Sequence, residues 1–187
     1  MNRLLLVDDD PLVLMALQTT LGTMFPSGVR IETFEDPMQA LARVRESTFD
    51  VILSDYRMPE IDGIQFLRAA CAIQPHVVRM MLSAASDVDM VLRAINEIEV
   101  YRYLAKPWKD ADLFRHVNDA LQHAETMRHN RELADTMRLL AGTLTPAEIE
   151  CRRLEELEPG LTVVEWGPNG EVLMPDALIE FDFHERH

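Results

Sequence analysis

Up to about residue 120 the chain alternates between two hydrophobic rhythms. Short, largely apolar runs read as strands at Leu4–Val7, Asp50–Asp55, Val77–Leu82 and Tyr101–Ala105, and Val29–Phe34 alternates as a strand. Between them, apolar residues recur every three or four positions, as on one face of a helix. The first such stretch runs from Pro11 to Met24, with Leu12, Met15, Ala16 and Leu21 expected on the inward side. Asp36-Pro37 opens a second, with Ala40, Leu41 and Val44 inward; Ile64–Ala72, Val88–Ile98 and a segment from Leu113 onward complete the set. Asp10 ahead of Pro11 supplies a side-chain cap before a proline at the first helical position.

Five strands separated by helices of this length imply parallel pairing through right-handed crossovers. Strands that are apolar on both sides need helices on both faces of the sheet. The expected fold is therefore α/β, a doubly wound five-stranded parallel sheet. In such folds chemistry gathers beyond the carboxyl ends of the strands, near the switch in strand order.

The segments after residue 122 predict a smaller appendage. Val117, Ala120, Ala124 and Met127 form one apolar series, and Leu133, Met137, Leu140 and Leu144 resume it after a polar break. Two arrangements fit over 123–144. One is a single long helix able to form a two-stranded coiled coil and a homodimer, which is preferred. The other is a helix ending near His129 with a second folded back. Thr145-Pro146-Ala147-Glu148 is a capping box with proline at the first helical position, so a helix to about Leu157 should follow. Leu161–Trp166 and Glu171–Met174, around Gly167-Pro168-Asn169-Gly170, predict a small β-hairpin with Trp166 as its buried anchor. Asp176–His187 is either a third strand or unstructured. The expected domains are 1–122, a helical extension over 123–144, and a capped helix plus hairpin over 145–187.

Charge narrows the function. The 187 residues carry 18 Lys and Arg against 32 Asp and Glu, a formal net charge of −14. That balance argues against a nucleic-acid surface and against anionic membranes. No apolar run approaches a membrane span, and MNRLLLVDDD is no signal peptide, so the cytoplasm is the expected location. Cys71 and Cys151 lack any metal-ligand spacing and read as two reduced thiols.

The predicted strand ends carry the chemistry. The first ends in Asp8 and Asp9, the third in Asp55, the fourth in Ser83 and the fifth in Lys106. Any one of these is an ordinary solvated loop residue; all five on one sheet edge are not. Clustered carboxylates repel, and a hard divalent cation relieves that cost. Lys106 offers a compact positive charge for a phosphate oxygen, and it is one of only two lysines, the other being Lys109. The set reads as a phosphoryl site in which a carboxylate is itself the nucleophile.

The strings VDDDP, ILSDYRMPEIDG, MLSA and YRYLAKPW resemble the receiver domain of bacterial two-component response regulators, over residues 1 to about 122. The resemblance implies the flavodoxin-like strand order 2-1-3-4-5. It implies that Asp55 accepts a phosphoryl group from a histidine kinase or phosphotransfer protein. Mg2+ would be held by Asp8, Asp9, Asp55 and the backbone carbonyl of Arg57, with Asp9 bound directly and Asp8 more through water. Lys106 would bind phosphate, with a cis bond to Pro107. Ser83 would be the switch hydroxyl, and Tyr103 the aromatic that turns inward. Such a chain is a switch with self-phosphorylation and slow autodephosphorylation, not a metabolic enzyme.

Met58-Pro59 and Asp62-Gly63 read as turn chemistry, with Gly63 expected at positive φ. No DNA-binding output module is legible in the tail, so the expected output is protein contact. The alternative is that the chain is the receiver part of a larger regulator whose cyclic-dinucleotide enzyme is absent here. A small-molecule phosphohydrolase using Asp55 is rejected, because the second acid such enzymes place two residues later is Arg57 here.

Overall fold

The computed structural model describes residues 1–84, 99–157, 165–166 and 172–173. Strands β1 (Asn2–Val7), β2 (Val29–Phe34), β3 (Val51–Asp55), β4 (Val78–Ala84) and β5 (Arg102–Lys106) pair in parallel in the order β2-β1-β3-β4-β5. Helices α1 (Pro11–Met24), α2 (Pro37–Glu46) and α3 (Gly63–Ile73) lie between them, and α4 (Asp110–Leu140) follows β5. The helix expected over Val88–Ile98 lies outside the described residues.

The pleat divides the core in two. Leu4, Leu6 and Leu53 point to one side of the sheet, where Leu14, Leu17 and Leu21 of α1 and Leu113, Val117 and Ala120 of α4 cover them. Leu5, Val7 and Ile52 point to the other, against Ala40, Leu41 and Val44 of α2 and Phe66, Leu67 and Ala70 of α3. β1 and β3, the inner strands beside the switch point, are thus apolar on both faces, as a covered parallel sheet requires.

Asp10 and Asp36 cap α1 and α2 ahead of prolines, as the sequence predicts; Asp10 accepts from Leu12 N at 2.8 Å. The inward face of α1 differs from expectation. Leu14, Leu17 and Leu21 are buried, whereas Leu12 and Met15 are 67% and 59% exposed, and Ala16 is also exposed. The first two turns are apolar all round, so periodicity alone leaves their rotation undetermined.

Two polar devices hold the loops. Gln74, 8% exposed, donates to the carbonyls of Val44 at 2.6 Å and Ser47 at 2.8 Å, and accepts from Phe49 N at 2.9 Å. One buried amide thus satisfies the backbone of the turn between α2 and β3. Glu32 on β2 bridges Arg3 at 2.7 Å and Arg43 at 2.8 Å. Burial opposes its ionised form, but these two guanidiniums together hold its carboxyl below the ordinary 4.5.

α4 is one continuous helix of 31 residues, about 46 Å long at 1.5 Å per residue. Past its buried first half, the Arg128 guanidinium meets Asp50, just ahead of β3, at 2.6 Å. Gly142, at φ 70°, makes the left-handed turn that ends the helix. The capping box then forms as expected: Thr145 N donates to Glu148 at 2.7 Å and Glu148 N to Thr145 Oγ1 at 3.3 Å. It opens α5 (Pro146–Leu157), which folds back so that Arg152 pairs with Asp135 of α4 at 3.0 Å. The helix thus runs on past His129 instead of ending there, and the helix that folds back is the separate capped one expected after Thr145. β6 (Glu165–Trp166) pairs antiparallel with β7 (Val172–Leu173), matching the central part of the predicted hairpin. The rest of that hairpin, the burial of Trp166 and the segment Asp176–His187 lie outside the described residues.

Replacing Gln74 by Leu leaves three backbone groups without partners and should cost about 3 kcal/mol in urea unfolding. Glu32→Gln should cost about 1 kcal/mol at pH 7, after discounting for solvent screening. Because the folded Glu32 pKa lies below its unfolded value, this contribution is complete above pH 4.5 and drains away as pH falls through the lowered folded value. Unfolding curves of wild type and Glu32→Gln should accordingly converge in acid.

Candidate functional site

The five strands β1 to β5 run the same way, so their carboxyl ends share one edge. Asp8 follows β1, Asp55 closes β3, Ser83 is the penultimate residue of β4, and Lys106 closes β5. β1 lies between β2 and β3, so the order reverses beside it, which places Asp8 and Asp55 at the switch point.

The structure brings three of these side chains into direct contact. Lys106 Nζ stands 2.6 Å from Asp8 Oδ2 and 2.5 Å from Asp55 Oδ1. Asp8 is 1% exposed and Asp55 5%. Burial pushes the Asp8 carboxyl above its ordinary range, although Lys106 and the Asp10 N–H favour its charged form. Burial also opposes the Lys106 ammonium, but Asp55 and Asp8 together outweigh it and raise its pKa. The lysine is thus charged at neutral pH.

Backbone donors fix the acids. Arg57 N donates to Asp55 Oδ2 at 2.6 Å and Asp10 N to Asp8 Oδ1 at 3.0 Å. Ser83 is buried beside this cluster at 2% exposure. The Tyr103 hydroxyl donates to the carbonyls of Ser83, at 3.3 Å, and Ala84, at 3.1 Å, while its ring packs on the α2–α3 side of the core. The Lys106–Pro107 bond is cis. Asp9 and Arg57 are exposed at the rim, and Asp9 is not drawn into the Asp8–Lys106–Asp55 contact.

Among the described residues no three His, Cys, Asp or Glu side chains gather closely enough to hold a metal unaided. The donor chemistry nevertheless suits a hard cation. Two carboxylates face each other across one nitrogen, a third lies next in the chain, and the whole carries negative charge.

Gly63 departs from expectation. It does not take a positive φ; the residue that does so in this loop is Glu60, at 67°. Gly63 is required for space instead. A Cβ there would overlap the Asp55 carbonyl oxygen and come within 3.0 Å of Tyr56 Cα. Its N–H also donates to Tyr56 O at 2.8 Å, pinning α3 to the exit of β3. Asp62 is the α3 N-cap, in a reciprocal capping box with Gln65. That pairing was readable from the spacing Asp62-x-x-Gln65; the steric role of Gly63 had no sequence signal.

The chain matches the response regulator receiver domain family over residues 4–118. It belongs to that family. It is similar to the hydrogenase transcriptional regulatory protein HoxA of Cupriavidus necator, 32% identical over 63% of this chain and 24% of that protein. Among solved structures, one described as adenylate cyclase from Rhodopirellula baltica has a TM-score of 0.67 at 33% identity, covering 72% of this chain and 98% of that one. The receiver domain of an HD domain-containing protein from Pseudomonas fluorescens has a TM-score of 0.64 at 32% identity, covering 68% and 92%. The matched region spans about a quarter of the length of curated relatives such as HoxA. As a receiver domain, the chain has the flavodoxin-like sheet order of that family. No helix among the described residues is long and apolar enough to cross a membrane.

Gly63→Ala should force β3 and α3 apart at Asp55 and cost about 2 kcal/mol. Urea unfolding measures the loss, and amide chemical-shift changes should centre on Asp55 and Tyr56.

Proposed function

We propose that this receiver is a two-component switch in which Asp55 accepts a phosphoryl group from a histidine kinase or phosphotransfer protein. The observation that carries this is the single ammonium of Lys106 seated between two buried carboxylates at the carboxyl edge of a parallel sheet. Arg57 N–H engages Asp55 Oδ2, which leaves Oδ1, on the Lys106 side, to attack phosphorus. An O–P bond forms as the donor's bond to phosphorus breaks, and the donor leaves with its electron pair. Lys106 then passes from the carboxylate to a phosphoryl oxygen and keeps its charge paired.

Asp8, Asp9, Asp55 and the Arg57 carbonyl would hold Mg2+. Bound there, it would neutralise negative charge on the phosphoryl oxygens. The protein's own part is positioning: backbone donors orient the acids, and burial keeps bulk water from the acyl phosphate.

Switching follows from what Ser83 and Tyr103 share. Tyr103 holds the carbonyls of Ser83 and Ala84. A Ser83 hydroxyl drawn towards the phosphoryl group moves the backbone that anchors Tyr103. The ring's packing is then biased by charge at Asp55, a population shift driven by a local modification. The output we favour is contact with a cytoplasmic protein by a homodimer formed through α4, without nucleic-acid binding. A second reading, the receiver part of a larger regulator, is supported by the relatives: their length is about four times the matched region, and the solved neighbours' names include a cyclase and an HD-domain protein.

Incubation with acetyl phosphate and Mg2+ should add one phosphoryl group by intact mass, and Asp55→Asn should abolish it. Labelling at another residue overturns the assignment.

A further inference from the structure

We infer that the far half of α4 is a self-association seam, a parallel two-stranded coil that sets a second copy of this chain in register through Asn130. The inference deepens the homodimer reading above and rests on it. From Glu125 to Leu140 no residue of the helix is fully buried, and its apolar stripe changes face. The stripe buried in the core continues in steps of three and four from Ala124 to Met127; the next such positions are Arg131, Ala134 and Arg138, two of them charged and the third small. A second stripe, Leu133, Met137 and Leu140, lies one residue out of phase, about 100° round the helix. Those three are 46%, 69% and 83% exposed.

Charge distribution identifies the occupant. With Asn130 and Met137 at a, and Thr126, Leu133 and Leu140 at d, all six charged residues of 125–140 fall at b, c or f: Glu125, Arg128, Arg131, Glu132, Asp135 and Arg138. Positions e and g hold Met127, His129, Ala134 and Thr136, with no acid or strong base. Among the described residues, ion pairs use the outer side, Arg128 with Asp50 and Asp135 with Arg152, while Leu133, Met137 and Leu140 stay exposed. An acidic or basic partner would find nothing there to pair with. An identical copy meets a neutral apolar stripe that matches its own.

Asn130 gives the seam its register and direction. An asparagine at a pairs across the axis with its own copy only when the helices are parallel and aligned, which costs stability and confers specificity. Two heptads bury less than the roughly 1,000 Å2 of a stable interface, so association is weak and concentration-dependent. Each copy carries a net charge of −14, so added salt should tighten it by screening repulsion.

Sedimentation equilibrium on the full chain tests this. Wild type should dimerise reversibly, and Leu133→Asp/Leu140→Asp should weaken the dimer about tenfold or more. Asn130→Leu should tighten association and broaden it beyond the dimer. In a Cys71→Ser/Cys151→Ser background, Asn130→Cys should crosslink to its own copy with oxidised glutathione, while Glu132→Cys on the outer face should not. Acetyl phosphate labelling of Asp55 in each variant reports the receiver reading separately. Wild type that stays monomeric at its highest soluble concentration overturns the homodimer and the seam together. A dimer indifferent to Leu133→Asp/Leu140→Asp overturns the seam alone, and crosslinking at Glu132→Cys without Asn130→Cys overturns its register.

Discussion

Two buried carboxylates sharing one ammonium are the constraint around which the molecule is arranged. Asp8 and Asp55 cannot both stay charged at 1% and 5% exposure without a cation between them. Lys106 supplies it from a strand 98 residues further along the chain. Three strands must therefore end at one level, and β1 and β3 must be neighbours. The order β2-β1-β3-β4-β5 satisfies this, and the switch of direction beside β1 opens the crevice where the acids meet. Such a centre costs stability compared with an apolar one, and a buried charged cluster at a sheet edge is the mark of a functional site more than of packing.

Much of this was legible in the residues. The strands are short apolar runs whose ends carry the only unusual polar residues, and a parallel sheet converts those ends into one edge. Asp10 and Asp36 before prolines marked two helix starts, and Thr145 to Glu148 marked a third. What was not legible depends on three-dimensional neighbours. Leu12 and Met15 are as apolar as Leu14 and Leu17, so only the sheet decides which pair is covered. Gln74 looks like any surface glutamine until the α2–β3 turn is folded beneath it. Gly63 sits where a turn glycine belongs, yet what requires it is the proximity of Asp55 O, a contact across the loop rather than a dihedral of its own. Asp8 and Asp9 are neighbours of one residue type just past the end of β1, yet the first is buried and the second exposed, a difference set by the folded loop and not by the sequence.

The helix after β5 shows the same principle at larger scale. Its first half belongs to the core, where Leu113, Val117, Ala120, Leu121 and Ala124 are all buried. Its second half obeys a stripe rotated by one residue. A single apolar periodicity drawn through both halves merges two surfaces with different partners, the sheet for one and a second chain, as proposed, for the other. The polar interval between Met127 and Leu133 is where the assignment changes, and Arg128 marks it physically by reaching back to Asp50.

That anchor connects the two ends of the molecule. Asp50 and Asp55 bracket β3, about 16 Å apart at the rise of a parallel strand. Asp55 meets Lys106 at one end, and Asp50 holds Arg128 and accepts Arg3 N at 2.7 Å at the other. α4 runs between these levels as one continuous element and projects past the lower one. A change in how β5 and the start of α4 sit against the β4 exit can reach the projecting half only by tilting the whole helix, because an unbroken helix carries no internal joint. The Arg128–Asp50 pair is then the pivot. Leu140 lies 12 residues beyond Arg128 and Asp110 lies 18 before it, so a tilt about that point would move Leu140 through about two-thirds of the displacement at the helix start and in the opposite sense, a change of alignment that two weakly associated copies, as proposed, would register.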